Sequence, residues 1–368
     1  MATVSGPRPQ RPKPLDPLRE LPSASMALPP PAAPKANNTE ALLSDVKLPF
    51  KLRPVERCLL SPPGAPFLRY GCFSHRGPMK IWPDKENEDF AFAVECTDRT
   101  SAPWTLIGVA DGVSGSTWGE RGAEQACASF ISILCKMLDA YGDLEQQMLD
   151  PGFREQLFAA ALHADLQKRL FIDEREIVQN EIVHPTWGEA GYRETFFTGP
   201  NAAVERRSWF QTTLLAAALG PRGGFAFLLG DGFAQVTRRY ADGSVQRRPL
   251  ETQQQTELGG PSLLISRWIQ PFEIADSMTW LPMQEAVEIE LLLATDGVKN
   301  TPDSGVENVE LRNAEECRAF LNSLASRPEG QVDEDNLSIA VGAVVLHASN
   351  PPQMSSVSAG AKAEEHEP

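Results

Sequence analysis

Histidine is scarce in this chain, at 5 residues, and the 6 cysteines (Cys58, Cys72, Cys96, Cys127, Cys135 and Cys317) are scattered. Without CxxC pairs or a dense framework, the common zinc-site spacings and a disulfide scaffold are excluded; reduced thiols in a cytosolic protein fit. Positive charge is also short, with 34 Lys and Arg against 49 Asp and Glu and a net charge of -15. Nonspecific binding to nucleic acid or to an anionic membrane needs a positive footprint, so neither partner is expected. Long apolar runs are missing: none approaches the ~18 residues needed to span a bilayer. The N-terminus, MATVSGPRPQRPKPLDPL, also lacks the apolar segment of a signal peptide. These absences lead to the expectation of a soluble, cytoplasmic chain.

What is present is a globular centre between two unusual ends. Hydrophobic residues make up 42%, enough for a sizeable core, whereas much of the proline lies in the first fifty positions and around Ser61 to Pro66. Residues 1–66 are therefore expected to be a disordered, proline-rich tether, 67–347 one large domain, and 348–368 a disordered tail. Within the domain, strands are expected at Leu68 to Phe73, Phe90 to Glu95, Thr105 to Ala110, Thr212 to Leu219, Phe225 to Leu229, Ala234 to Arg239, Ser244 to Arg248, Val287 to Ala294 and Leu337 to Leu346. Apolar residues at helical spacing predict helices over Gly119 to Tyr141, Gly152 to Phe171 and Asn313 to Ser326. Asp173 to Arg207 is polar and weakly periodic and reads as a possible insertion. Strands, helices, strands, helix and strand in that order point to an α+β layered domain rather than a βαβ repeat.

Several strands carry an acid at one end. Asp111 follows IGVA, Asp296 follows LLLAT, Asp335 precedes LSIAV, and Glu88-Asp89 precede FAFAV. Any one of these could be a turn, as Asp242-Gly243 is in its hairpin. A convergent set would repel itself unless a cation or raised pKa values relieved it. Carboxylates without His or Cys select hard ions such as Mg²⁺ or Mn²⁺, and a pair of these about 4 Å apart suits phosphate ester hydrolysis.

The ordered set Asn87-Glu88-Asp89, Val109-Ala110-Asp111-Gly112, Gly119-Glu120, Thr212-Thr213, Gly230-Asp231-Gly232, Ala294-Thr295-Asp296-Gly297 and Asp335-Asn336 resembles the metal-dependent protein phosphatase family, type 2C, in its bacterial-type members. The resemblance runs from about Leu68 to Leu346. It implies a four-layer αββα sandwich, two antiparallel sheets flanked by helices, with a binuclear Mn²⁺ or Mg²⁺ site at one end. It further implies a serine/threonine protein phosphatase acting on a phosphorylated protein, and we expect a monomer. By motif, Asp111 would bridge two metals and the carbonyl of Gly112 would bind one. Asp296 and Asp335 would complete the second metal's shell, with Glu88 and Asp89 acting near it directly or through water. Asn336 would orient the site, and Asp231 receives no metal.

The sequence departs from the family pattern in three places. The phosphate-gripping Arg commonly found three residues before the Asn is Asp84 here, which leaves Lys80 and then Arg76 as candidates for the phosphate-binding cation. The His that follows Asp-Gly in many eukaryotic members is Val113, and His75 is expected to have a structural role. Ser208-Trp209-Phe210-Gln211 replaces the usual small residues, so no acid for a third metal is located. Two other readings stand beside the enzyme: a phosphatase-like regulatory module that binds a phosphoprotein, and a hydrolase of small phosphorylated molecules.

Overall fold

The computed structural model describes residues 58–61, 68–77, 87–113, 115–184, 188–251, 269–283, 285–328, 331–332 and 335–345. Two sheets form. One has the strand order β1 (Cys58–Leu60), β3 (Phe90–Thr97), β4 (Pro103–Ala110), β5 (Leu214–Gly220), β6 (Gly223–Leu229) and β9 (Met278–Pro282). The other has the order β2 (Leu68–His75), β11 (Leu337–Val345), β10 (Ala286–Ala294), β7 (Phe233–Tyr240) and β8 (Val245–Pro249). All pairings are antiparallel except that of β1 with β3.

Three apolar layers hold this together, and side-chain alternation along the strands generates them. Ala91, Ala93, Ile107, Val109, Leu215 and Ala217 from the first sheet meet Ile289, Leu291, Leu293 and Ala340 from the second. The other face of the first sheet presents Phe92, Leu106, Phe225 and Phe227 to helices α1 (Gly119–Ala140) and α2 (Ala160–Gln179). The other face of the second presents Phe73, Leu292, Ile339 and Val341 to Cys317, Leu321 and Leu324 of a C-terminal helix, Ala314–Ala325, whose first turn is capped by the Asn313 side chain on the Glu316 N–H. Strands buried on both faces read as near-continuous apolar runs, which is why the central strands were legible. The expected four-layer αββα sandwich is what the chain adopts.

Local expectations met the structure unevenly. The helix expected to end at Phe171 continues to Gln179, entered through a π turn at Arg154–Ala159. Asp173 to Arg207 is largely helical rather than irregular: after α2 come the short helix α3 (Glu189–Arg193), a π turn, Glu194–Thr198, and a further turn, Ala202–Glu205. Its Tyr192 and Phe196 are buried among Trp118 and Trp209, and the Trp118 indole N–H donates to the Tyr192 hydroxyl at 2.8 Å. Burial pushes the Tyr192 phenol up, in keeping with its place in the core. Strand β1 lies inside the stretch assigned to the disordered N-terminal segment, and Pro271–Asp276 and β9 form where no element was expected.

Candidate metal centre

Antiparallel pairing decides where the acids go. In such a sheet the end of one strand lies beside the start of its neighbour. Ala110, the last residue of β4, pairs with Phe90, the first of β3, so Asp111 and Asp89 fall together. Ala294, at the end of β10, pairs with Ile339 near the start of β11, which brings Asp296 beside Asp335. Because the sheets pack face to face with these ends aligned, Asp111, Asp296 and Asp335 each place one carboxylate oxygen within 4.8 Å of the others, all half-buried. Asp89 is fully buried beside them, close enough for its charge to act on Asp111.

The electrostatics follow from that crowding. Burial, then the charges of Asp89, Asp296 and Asp335, push the Asp111 carboxyl well above the usual carboxylate range. The donor set is all oxygen and fits a hard divalent cation at this spacing.

Backbone and hydroxyl contacts fix the geometry. Asp111 is held on both sides of its peptide: its N–H donates to Thr213 Oγ1 at 3.0 Å, and its carbonyl accepts from Thr212 Oγ1 at 2.8 Å and from the Thr213 N–H at 2.9 Å. Asp89 accepts from Thr295 Oγ1 at 3.0 Å, and the same oxygen accepts from the Ser338 N–H at 3.0 Å, so one threonine ties β3 to β10 and β11. Asn87 accepts from the Asp89 N–H at 3.1 Å and donates to Ser74 Oγ at 2.7 Å. The Gly112 N–H donates to the Glu88 carbonyl at 3.2 Å. Asn336 accepts from the Gly77 N–H at 3.1 Å, fastening the end of β2 to the site.

Arg76 follows β2 at the same end of the sandwich, half-buried. His75 donates from Nδ1 to the Arg76 carbonyl at 2.6 Å, since a carbonyl can only accept. Lys80 lies outside the described residues. The Asp231 carbonyl accepts from Lys299 Nζ at 2.8 Å, one turn beyond Asp296. Sequence reasoning noted Thr212, Thr213 and Thr295 in their motifs without giving them work. A hydroxyl beside an acid at a strand end was the available signal.

The loop beyond Asp111-Gly112 is fastened to 208–211. Val113 N–H donates to the Gln211 carbonyl at 3.0 Å and Trp118 N–H to the Trp209 carbonyl at 2.8 Å. Ser116 Oγ lies within hydrogen-bond reach of the Ser208 carbonyl, at 2.7 Å, and the Trp209 carbonyl, and accepts from the Gln211 N–H at 3.1 Å. Ser116→Ala leaves buried backbone groups without this partner, so a loss of about 1–3 kcal/mol is expected in urea unfolding. An unchanged unfolding midpoint would show that water replaces the hydroxyl.

The model of the protein phosphatase 2C family matches residues 76–339, and the chain belongs to that family. Among solved structures it is similar in fold to the serine/threonine phosphatase Stp1 from Staphylococcus aureus, at 14% identity and a TM-score of 0.47, covering 78% of this chain and 97% of that one. It is also similar to PppA, a key regulatory component of T6SS in Pseudomonas aeruginosa, at 15% identity and TM-score 0.45, covering 75% and 97%. The catalytic domain of the serine/threonine protein phosphatase PstP, in complex with 2 manganese ions, is 17% identical with TM-score 0.42, covering 76% and 99%. Comparison with curated proteins gives no match. No helix among the described residues is long and apolar enough to cross a membrane.

Proposed function

We propose that this chain is a manganese- or magnesium-dependent protein phosphatase that hydrolyses phosphoserine and phosphothreonine in proteins. The observation that carries the reading is the convergence of Asp111, Asp296 and Asp335 within 4.8 Å, in a chain of the protein phosphatase 2C family. Asp111 would bridge two divalent ions, with the Gly112 carbonyl on one and Asp296 and Asp335 on the other. Glu88 and Asp89 would act near them directly or through water. Such ions, when bound, polarise a phosphoryl group and acidify a water molecule.

The remaining work falls to the chain itself. Thr212 and Thr213 hold Asp111 in place through its backbone, and Thr295 holds Asp89 through its carboxylate. Arg76 at the rim, or Lys80, supplies the cation for the substrate phosphate; an arginine there can grip two oxygens at once, a lysine only one point of charge. Val113 offers no proton, so water protonates the leaving serine or threonine oxygen.

The test is hydrolysis of a phosphothreonine peptide by the purified chain, with Mn²⁺ and with a chelator. Turnover is expected only with metal, and Asp296→Asn is expected to reduce kcat by roughly 10³-fold, since loss of several kcal/mol of charge stabilisation at about 1.4 kcal/mol per tenfold gives that order. Metal-dependent turnover that survives Asp296→Asn would overturn the assignment. Peptide binding without turnover in Mn²⁺ would make the chain a phosphoprotein-binding module instead.

A further inference from the structure

One cysteine pair lies apart from the acidic end's chemistry and is placed to react. β1 forms the edge of one sheet and β2 the edge of the other, so the two strands face each other across the open side of the sandwich. Cys58, the first residue of β1, is exposed, whereas Cys72, in the middle of β2, is buried. The Cys72 thiol sits against β1: its Sγ donates to the carbonyl of Leu59, the residue next to Cys58, at 3.6 Å, and β1 and β2 lie in contact. β1 is further clasped by Ser61, whose N–H donates to the Ala93 carbonyl at 3.1 Å and whose hydroxyl accepts from the Glu95 N–H at 2.8 Å.

We propose that Cys58 and Cys72 are an oxidative modification site, closing to a disulfide that staples the edges of the two sheets when the protein meets a peroxide. The order of events follows from exposure. The Cys58 sulfur attacks the peroxide, so an S–O bond forms, the O–O bond breaks, and the departing hydroxide takes the Cys58 proton as water. The Cys72 sulfur then attacks the Cys58 sulfur; the S–S bond forms, the S–O bond breaks, and the second hydroxide leaves as water with the Cys72 proton. Two thiols lose two electrons and one peroxide becomes two waters. Cys72 is not the first to react, because the neighbouring Cys58 thiol and burial hold its own thiol well above its usual pKa, and the thiolate is the nucleophile.

The rest of the molecule provides the contrast. Cys96 and Cys135 also pack in one cluster, but Cys96 is buried and Cys135 half-buried, so a peroxide reaches neither freely. Cys127 and Cys317 are fully buried. The staple would fix more than two strands. Cys58 opens β1 opposite Ala91 of β3, so the disulfide would anchor the first residue of β1 to the second sheet.

The test uses the full chain, reduced, exposed to hydrogen peroxide, capped with iodoacetamide and digested with trypsin. Cleavage after Arg57, Arg69 and Arg76 separates Cys58 and Cys72 into different peptides, so the disulfide appears as one joined mass that dithiothreitol splits. That joined mass is expected before any Cys96–Cys135 link. The oxidised chain is expected to melt several degrees above the reduced one, and Cys58→Ser, an exposed and conservative change, is expected to abolish both effects. Three results would overturn the proposal: Cys58 and Cys72 both capped while Cys96 and Cys135 are joined; Cys58 recovered as a covalent dimer of two chains; or a joined Cys58–Cys72 mass with no change in melting. None of these readouts depends on phosphatase activity.

Discussion

Stripped of metal by a chelator, the Asp111→Asn chain is expected to melt higher than its parent at pH 7; with manganese present, the order is expected to reverse. The cause is the crowding of Asp111 by burial and by Asp89, Asp296 and Asp335, which raises its carboxyl pKa in the folded chain above the unfolded value. A group shifted upward contributes stability that is fully present below its unfolded pKa, about 4 for an aspartate, and is lost as pH rises through the folded value. Asparagine imitates the protonated form at every pH and so escapes that loss. The advantage of Asp111→Asn without metal should therefore shrink as pH falls and vanish in mild acid.

Metal reverses the sign because it binds the folded acids and not the unfolded chain. At a concentration ~100 times its dissociation constant, a ligand adds about 2.7 kcal/mol. At about 2–4 °C per kcal/mol for a domain of this class, the parent should gain roughly 5–10 °C. Asp111→Asn, without the charge proposed to bridge the ions, should gain little and should lose kcat by roughly 10³-fold or more on the reckoning used for Asp296. Thermal melts of both chains from pH 4 to 8, with chelator and with Mn²⁺, measure every part of this. If Asp111→Asn melts lower than the parent at pH 7 without metal, the clustered-charge account fails, whatever the activity.

How much of this was legible beforehand depended on distance along the chain. The central strands announced themselves because both faces are buried, so Leu214–Gly220 is apolar throughout and Ala286–Ala294 is apolar but for Glu288 and Glu290. Once the strands alternate direction, an acid after one and before the next must share an end, which is why Asp111, Asp296 and Asp335 could be grouped from sequence. Short elements gave no such signal. β1 has 3 residues and Pro271–Asp276 has 6, too few for a period to show, and their form is set by the neighbours they pack on.

The segment around Tyr192 and Phe196 gave no element signal for a related reason. These two aromatic residues sit one turn apart in a largely polar stretch, and Trp118 and Trp209, distant in sequence, reveal that they belong to the core. Thr295 was hidden differently. A threonine at the end of an apolar strand reads as β propensity, and its double role between Asp89 and Ser338 exists only after two sheets have met.

The same long-range logic makes Gly112→Ala a damaging single methyl group for the site to receive. Gly112 was expected to be glycine so that its carbonyl could face a metal; its surroundings supply a separate and sufficient reason. A Cβ there would lie 2.4 Å from the Gly119 carbonyl carbon, 2.6 Å from its oxygen and 2.8 Å from the Glu120 nitrogen. All three are backbone atoms at the start of α1, so no side chain can swing aside. Either α1 backs away or Asp111-Gly112 is displaced, and the latter is opposed by the Thr212, Thr213 and Glu88 hydrogen bonds.

Overpacking of a well-packed site costs about 1–3 kcal/mol, and backbone against backbone belongs at or above the top of that range. A shift of ~1 Å at Asp111 is enough to reduce turnover by roughly 10²-fold. Gly115→Ala, three residues further along the same loop, is the control, because a Cβ there meets nothing within 4 Å. It should leave stability within about 0.5 kcal/mol and activity unchanged. Urea unfolding, Mn²⁺ titration and kcat for the two variants separate the cases. Equal behaviour of Gly112→Ala and Gly115→Ala would mean that the contact between the Asp-Gly turn and the start of α1 does not position the acid at all.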